Sequence, residues 1–222
     1  MMRDMNLSQT SGALRCILIT LCEGKHDYEF ISEVFKRISS HIQVKEQSPS
    51  DKDLIIRRAY DSKLPYVTVI VEGGKDVLDG NVRILISKLR SIPRSFIRIL
   101  ILRDSDSNYV DDVFKDLRSM IEREIERKFS RDRRLEFSCG QKVTIDSFVL
   151  YDCTVRYVTG YEVYISFILV VNDLETFLSK YGFSIDDALS LNEAIEKALN
   201  DPVNGSGAVE IFKRALGPCI TQ

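Results

Sequence analysis

Three short segments of the sequence contain the residue types that metal-dependent chemistry on phosphates requires. The first is Glu23-Gly24 with Asp27, the second is Gly73-Gly74-Lys75, and the third is Asp104-Ser105-Asp106. Carboxylates that lie close together raise each other's pKa by repulsion, and a bound divalent cation relieves that repulsion. Ligands that are all oxygen favour Mg²⁺, with Mn²⁺ as the alternative. Two such ions could stabilise the attacking and leaving oxygens of a phosphodiester reaction.

Each segment follows an apolar run that predicts a β-strand buried on both faces, as in parallel sheets covered by helices. The runs are residues 14–22, 66–71 and 96–102. Apolar residues with helical spacing follow them, at 30–38, 77–89 and 110–129. Three strand–turn–helix units predict a Rossmann-like α/β fold with a mainly parallel sheet and helices on both faces. Because ligands bind at the carboxyl ends of such strands, we expect the three segments to share one rim.

The pattern after residue 130 is more mixed. Weakly alternating segments predict strands that could pair antiparallel, at 135–139, 142–153 and 155–171. Short helices are predicted at 173–181, 185–199 and 209–216, with a loop at 201–207. We therefore expect a flexible N-terminus (1–13), a core domain (14–130), and a C-terminal β/α extension (131–222) packed on the same domain.

Composition narrows the classes of function. With 31 basic and 33 acidic residues the net charge is -2, so binding of nucleic acid would require a local basic patch or a bound metal. The five cysteines are scattered, which predicts neither a disulfide framework nor a zinc site and suits a reducing compartment. No signal-peptide pattern is visible in residues 1–12, and the longest apolar stretch, 161–171, is too short to span a bilayer. We expect a soluble cytoplasmic protein with no membrane partner; whether it forms a homodimer is left open.

The acidic EG turn, the GGK turn and the strand-end DxD, in this order, resemble the Toprim domain. That domain is shared by topoisomerases, DnaG-type primases, OLD-family nucleases and the ribonuclease M5 group, and the similarity covers residues 14–129. No cleavage, zinc-ribbon or ATPase segment accompanies it, so the chain looks like a small stand-alone Toprim protein near the nuclease branch. The resemblance implies a Mg²⁺-dependent nuclease, a hydrolase that cleaves phosphodiester bonds in DNA or RNA.

The resemblance also implies roles for individual residues. Glu23 matches the glutamate that serves as general acid or base, and Asp104 and Asp106 match the pair that holds magnesium. Glu23 is an additional candidate metal ligand. Gly24, Gly73 and Gly74 match turns where the backbone passes close to the site.

Other candidate roles follow from the residues themselves. Lys25, Lys75 and Arg103 would stabilise a substrate phosphate, and the backbone at Gly73 and Gly74 would bind it. Asp27 and Glu175 are candidates for a supporting role beside the site. Simpler interpretations stay open, because Glu23 and Asp27 could cap a helix, the DxD could form an Asx turn, and the GGK segment could be a plain tight turn.

Other charged residues and the histidines are given structural interpretations and no role in the site. Asp111 and Asp112 are predicted to be first-turn helix acids, and the basic cluster over residues 123–134 is predicted to be a solvated helix face, with a nucleic-acid contact as the alternative. The two histidines, His26 and His41, lack partner spacing and receive no ligand role.

Two other functions remain open besides the nuclease. One is a non-catalytic Toprim module that binds nucleic acid or acts as a scaffold. The other is a GT-A-like transferase, in which the DxD would hold Mn²⁺ and a nucleotide sugar, although this leaves the EG and GG turns unexplained.

Overall fold

The computed structural model describes most of the chain, and all that follows refers to those residues. They are 16–40, 42–47, 66–71, 73–74, 78, 80, 82, 96–129, 136–156, 162–185 and 188–219. The predicted flexible N-terminus and Lys75 lie outside them.

The described strands form one open mixed sheet in the order β2-β3-β1-β4-β8-β7-β5, with β6 paired to β7. The strands are β1 (Cys16–Cys22), β2 (Gln43–Gln47), β3 (Tyr66–Val71), β4 (Phe96–Asp104), β5 (Glu136–Cys139), β6 (Val143–Ile145), β7 (Phe148–Arg156) and β8 (Glu162–Val170). Five adjacent strands of the sheet run parallel to one another, in the order β2-β3-β1-β4-β8. The α/β fold with a mainly parallel core is therefore confirmed, and β1 lies between β3 and β4 as the shared rim requires.

Helices cover both faces of the sheet. They are α1 (Lys25–Ile38), α2 (Val110–Phe129), α3 (Leu174–Ser179), α4 (Ala188–Asn200) and α5 (Asn204–Leu216), together with helical positions at Leu78, Gly80 and Val82. Side chains of β1 and β4 alternate between two apolar cores: Ile19 and Ile99 face α2, and Leu18 and Leu100 face α1. This two-sided burial explains why the strands read as continuous apolar runs.

The bounds of β3 and α2 are as predicted, whereas β4 is two residues longer than the apolar run at 96–102. The extension contains Arg103 and Asp104, which keep strand pairing with Leu169 and Val170 of β8. Asp104 is thus the last residue of a central strand, and the turn begins after it.

The C-terminal third completes the central sheet. The antiparallel pairing expected there is confirmed for β7 with β8 and for β5 and β6 with β7. However, β8 also pairs parallel with β4, so the C-terminal part of the chain supplies a central strand of the sheet and is not only packed against it. The predicted single segment 142–153 is two strands, β6 and β7, with a turn whose residue Asp146 has φ 51.

The loop predicted at 201–207 is wrong, because α5 begins at Asn204. The glycines that suggested a loop are needed for close packing. A Cβ at Gly205 would lie 2.4 Å from the backbone oxygen of Ala198 in α4, and one at Gly207 would lie 2.7 Å from the side chain of Ile145. Small residues here let two helices and a strand approach one another.

The prediction that the cysteines form no disulfides is also wrong in this structure. Cys139 pairs with Cys153 directly across β5 and β7, and Cys16 pairs with Cys219 over a sequence separation of 203, while Cys22 is buried and free. The fold creates both pairs by bringing together residues whose spacing along the chain shows no motif.

A buried arginine ties the sheet to the end of α5. Arg98 of β4 is 5% exposed and donates hydrogen bonds to the backbone oxygen of Ala215 and to Ser166 Oγ (3.1 Å), with Asp152 Oδ1 at 3.5 Å. The guanidinium also lies over the Tyr164 ring, 5.1 Å from its centroid. A basic residue in an otherwise apolar strand therefore has a structural role here.

We expect Arg98→Met to lower the free energy of unfolding by about 2–4 kcal/mol, because it removes the buried guanidinium that donates to the Ala215 carbonyl and to Ser166 Oγ, and only the Ser166 hydroxyl then remains as a donor to that carbonyl. Urea unfolding followed by circular dichroism measures this loss. The matched control is Arg118→Met, which removes an exposed i,i+4 pair with Glu122 and should cost about 0.5 kcal/mol or less. Equal losses in the two variants would contradict a structural role for Arg98.

Candidate functional site

The turns after β1 and β3 contact each other. The Gly74 amide donates to the backbone oxygen of Glu23 at 3.3 Å, and Gly74 has φ +102, a backbone conformation that glycine adopts readily. The Gly74 carbonyl then accepts from the Leu78 amide at 2.9 Å. Two of the three predicted segments therefore lie side by side at the carboxyl ends of adjacent strands.

Asp27 closes the turn between β1 and α1. Its Oδ2 accepts hydrogen bonds from the amides of Glu23 (3.0 Å) and Gly24 (2.9 Å), and the residue is 6% exposed. Burial is the main reason that its pKa is raised to about 6, and the charge of Glu175 adds to the increase. Asp27 therefore fixes the backbone that presents Glu23.

Asp104 interacts electrostatically with acidic residues from three other segments. Its pKa is raised to about 8, chiefly by burial and also by the charges of Asp27, Glu23 and Glu175. Its Oδ1 accepts from the Leu174 amide at 3.1 Å, which attaches the start of α3 to the end of β4. Glu23 and Glu175, which are far apart along the chain, therefore both lie within electrostatic range of Asp104.

Asp106 belongs to the turn beyond β4, and it adopts the left-handed conformation with φ 50. This turn is joined to the one after β8: the Asp106 amide donates to the Asn172 carbonyl, and the Asn172 amide donates to Ser105 Oγ at 2.9 Å. The carboxylates that raise the pKa of Asp104 are those of Glu23 in the turn after β1, Asp27 in α1 and Glu175 in α3.

Glu175 is the second residue of α3, and it contacts a histidine that the sequence analysis left without a role. His26 Nδ1 lies 2.9 Å from Glu175 Oε1, and about a third of each side chain is exposed. Glu175 comes close to Asp104 because β8, which precedes α3, pairs with β4.

The predicted phosphate-binding cations differ in position. Arg103 Nε lies 3.8 Å from Glu23 Oε1, and both side chains are about 15% exposed. Lys25 is on the surface of α1, with 77% of its side chain exposed and Nζ 3.9 Å from Glu29 Oε1. Of the two described cations, Arg103 is the one that borders the acidic residues.

The carboxylate set suits a hard divalent cation by its chemistry, since every donor is oxygen; the pKa of Asp104 is raised first by burial and then by repulsion from the neighbouring carboxylates. Among the described residues, however, no three histidine, cysteine, aspartate or glutamate side chains are spaced to hold a metal ion as they stand. Oδ1 of Asp104 is engaged by Leu174, which leaves Oδ2 for another ligand.

Several other predicted features have structural partners. Of the basic cluster over residues 123–134, Arg127 pairs with Glu124, whose side chain is buried, and residues 130–134 lie outside the described part of the chain. Asp111, in the first turn of α2, accepts from Lys142 Nζ (2.7 Å) and from the Tyr151 hydroxyl, and these bonds lower the pKa of Asp111.

A groove of about 770 Å³ lies elsewhere, near the start of α5, and is lined by residues that include Arg37, Asp201 and Lys213. It contains none of the acidic site residues. We give it no functional role, because the chemistry-bearing groups converge at the sheet rim.

Comparison of the chain with protein-family models, curated proteins and solved structures finds no match. In the described part of the chain, no helix combines the length and apolar character needed to cross a bilayer.

Proposed function

We propose that this chain has a Toprim-type fold and acts as a Mg²⁺-dependent phosphodiesterase on nucleic acid. The observation that supports this most directly is the meeting of Glu23, Asp104 and Glu175, from three separate segments, closely enough for the first and last to raise the pKa of Asp104. A fold that buries like charges together at a sheet rim incurs a cost in stability, and binding of a cation offsets that cost.

In this proposal Asp104 and Glu23 hold the cation, with Asp106 and Glu175 as further oxygen donors. Mg²⁺ keeps several of its waters and needs few protein carboxylates, so a complete protein cage is not required. When bound, the cation supplies Lewis-acid activation and neutralises charge on the phosphoryl oxygens.

The chain's own groups have separate tasks. Glu23 would transfer a proton to or from a reacting oxygen, and Arg103 beside it would stabilise negative charge as it develops on the phosphate. The Gly74 amide already donates to the Glu23 carbonyl, so within the Gly73-Gly74 turn the Gly73 amide would be the one to bind a phosphate oxygen. Asp27 would keep the Glu23 backbone in place through its two hydrogen bonds.

The test combines metal titration with cleavage. The protein, freed of metal with EDTA, is titrated with Mg²⁺ or Mn²⁺ and incubated with labelled single-stranded DNA, duplex DNA and RNA. We expect metal binding and metal-dependent cleavage of at least one substrate, and no cleavage in EDTA. Failure to cleave any of the three at saturating Mg²⁺ and Mn²⁺ would contradict the proposal.

A non-catalytic binding or scaffold module is the second candidate, and two observations favour it. The described residues contain no ready-made group of three metal ligands, and Glu23 already lies beside Arg103. Under this alternative, nucleic acid binds without turnover and binding is insensitive to EDTA. The choice between DNA and RNA and the presence of a homodimer stay open, and the cytoplasmic location stays a prediction.

A further inference from the structure

We propose that His26 is a positioning residue that holds Glu175 at the acidic site through its Nδ1–H. This inference rests on the proposed function, because it assigns a task to a neighbour of the site's carboxylates. His26 is neither a metal ligand nor a catalytic residue in this proposal.

In this proposal the hydrogen bond runs from His26 to Glu175. His26 Nδ1 lies 2.9 Å from Glu175 Oε1, and an ionised carboxylate can only accept, so Nδ1 carries the hydrogen. The ring edge packs against Phe183, with centroids 5.3 Å apart and an interplanar angle of 78°. This contact limits the rotation of the imidazole, whose Nδ1 faces Glu175.

Glu175 needs such a partner because of where it lies. It is on α3, a helix of six residues that is too short to be stable without tertiary contacts. Its carboxylate is repelled by Asp27 and Asp104 and is about one-third exposed, so an unheld side chain would turn toward water.

Two contacts fix the beginning of α3 from different sides. Asp104 Oδ1 accepts from the Leu174 amide, which places the helix end on β4, and His26 then fixes the side chain of the next residue. The first turn of α1 and the first turn of α3 are thereby joined across the rim. In metal sites, partners that orient a ligand in this way typically account for about 10- to 100-fold in metal affinity.

A purely structural role would have a different signature. A half-exposed ion pair contributes only about 0–1 kcal/mol, so removing His26 should leave the fold almost as stable as before. A positioning role predicts instead a weaker response to metal with little change in unfolding.

The first measurement needs neither metal nor activity. Long-range ¹H–¹⁵N NMR of the metal-free protein at about pH 8, where an ordinary histidine is neutral, reports which ring nitrogen carries hydrogen. With two histidines in the chain, the spectrum is simple to assign with a His41→Gln variant. We expect His26 to be protonated at Nδ1 in the wild type and to shift toward the Nε2-protonated form in Glu175→Ala. A wild-type ring protonated at Nε2 overturns the inference.

The second measurement is Mn²⁺ affinity by calorimetry and the Mn²⁺ concentration that half-saturates cleavage. We expect His26→Ala to weaken both by about 10- to 100-fold. His26→Asn should recover much of the loss, because its amide can donate from nearly the position of Nδ1. The matched control is Glu33→Gln on the same helix, whose carboxylate pairs with Lys36 and lies outside the site.

The outcomes separate the two proposals. Wild-type Mn²⁺ affinity in His26→Ala overturns the positioning role while leaving the proposed function intact. A wild-type protein that binds no Mn²⁺ contradicts the proposed function, and the NMR result then still decides whether His26 holds Glu175.

Discussion

Cleavage by the Glu23→Gln and Asp104→Asn variants is expected to fall by about 10²- to 10⁴-fold, the range typical of lost general acid–base catalysis, while both proteins fold. Each substitution replaces a carboxylate by an amide of the same shape, so packing around the rim is kept. Glu23→Gln removes the proton-transfer group beside Arg103, and Asp104→Asn removes the charge that interacts with acidic residues from three other segments. Cleavage is measured at saturating Mn²⁺, with folding checked by circular dichroism.

Asp112→Asn provides the control. It also removes one negative charge close to the DxD segment, but Asp112 is an exposed residue in the first turn of α2. We expect its cleavage rate to match the wild type within about 2-fold, as is usual for exposed positions without special contacts. A Glu23→Gln/Asp104→Asn double variant that retained metal-dependent cleavage would remove the site assignment.

Local sequence pattern predicted the central part of the fold because the burial of each strand and helix leaves a pattern of apolar residues within that element. Continuous apolar runs indicate strands covered on both faces, and the helical spacing after each run indicates a crossover helix. These two signals are enough to make the strands parallel and to place Glu23 and Asp104 at the same rim. Strand order was not available from pattern alone, because right-handed crossovers are compatible with more than one order; the structure places β1 between β3 and β4.

The parts of the fold that the sequence could not predict depend on pairing between strands that are far apart along the chain. The pairing of β8 with β4 depends on which strand fills an open edge, and no local signal specifies that choice. Because α3 follows β8, the arrival of Leu174 and Glu175 beside Asp104 depends on the same pairing. The contact between His26 and Glu175, separated by 149 residues, was invisible for this reason.

For Arg98 and the glycines of α5, the sequence could not predict the role of the residue because that role depends on a neighbour in another element. A single arginine in an apolar run predicts exposure at that position, whereas the partners that satisfy it here come from β8 and the end of α5. Likewise Gly205 suggests a turn until the backbone of α4 is known to lie against it. In both cases the residue type is explained by a tertiary neighbour and not by its own element.

The acidic rim should also make the metal-free protein less stable as the pH rises. The folded state raises the pKa of Asp104 to about 8 and that of Asp27 to about 6, in both cases chiefly through burial, whereas both ordinary values are 3.8. Between about pH 4 and about pH 8 the unfolded chain therefore binds fewer protons than the folded one, so the free energy of unfolding falls with increasing pH. We expect a loss of about 2–4 kcal/mol over this window, less than the full shifts imply because the site is partly solvated.

Urea unfolding in EDTA at a series of pH values measures this dependence, and Asp104→Asn should remove most of it. The variant should also be more stable than the wild type near pH 8, because it no longer carries a buried charge repelled by its neighbours. Asp112→Asn should keep the wild-type slope. Mg²⁺ should stabilise the wild type more at pH 8 than at pH 5, since only the ionised carboxylates bind it, and this gain should vanish in Asp104→Asn. A slope that Asp104→Asn leaves unchanged would mean that Asp104 is not its source, and the electrostatic argument for a cation at this residue would lose its basis.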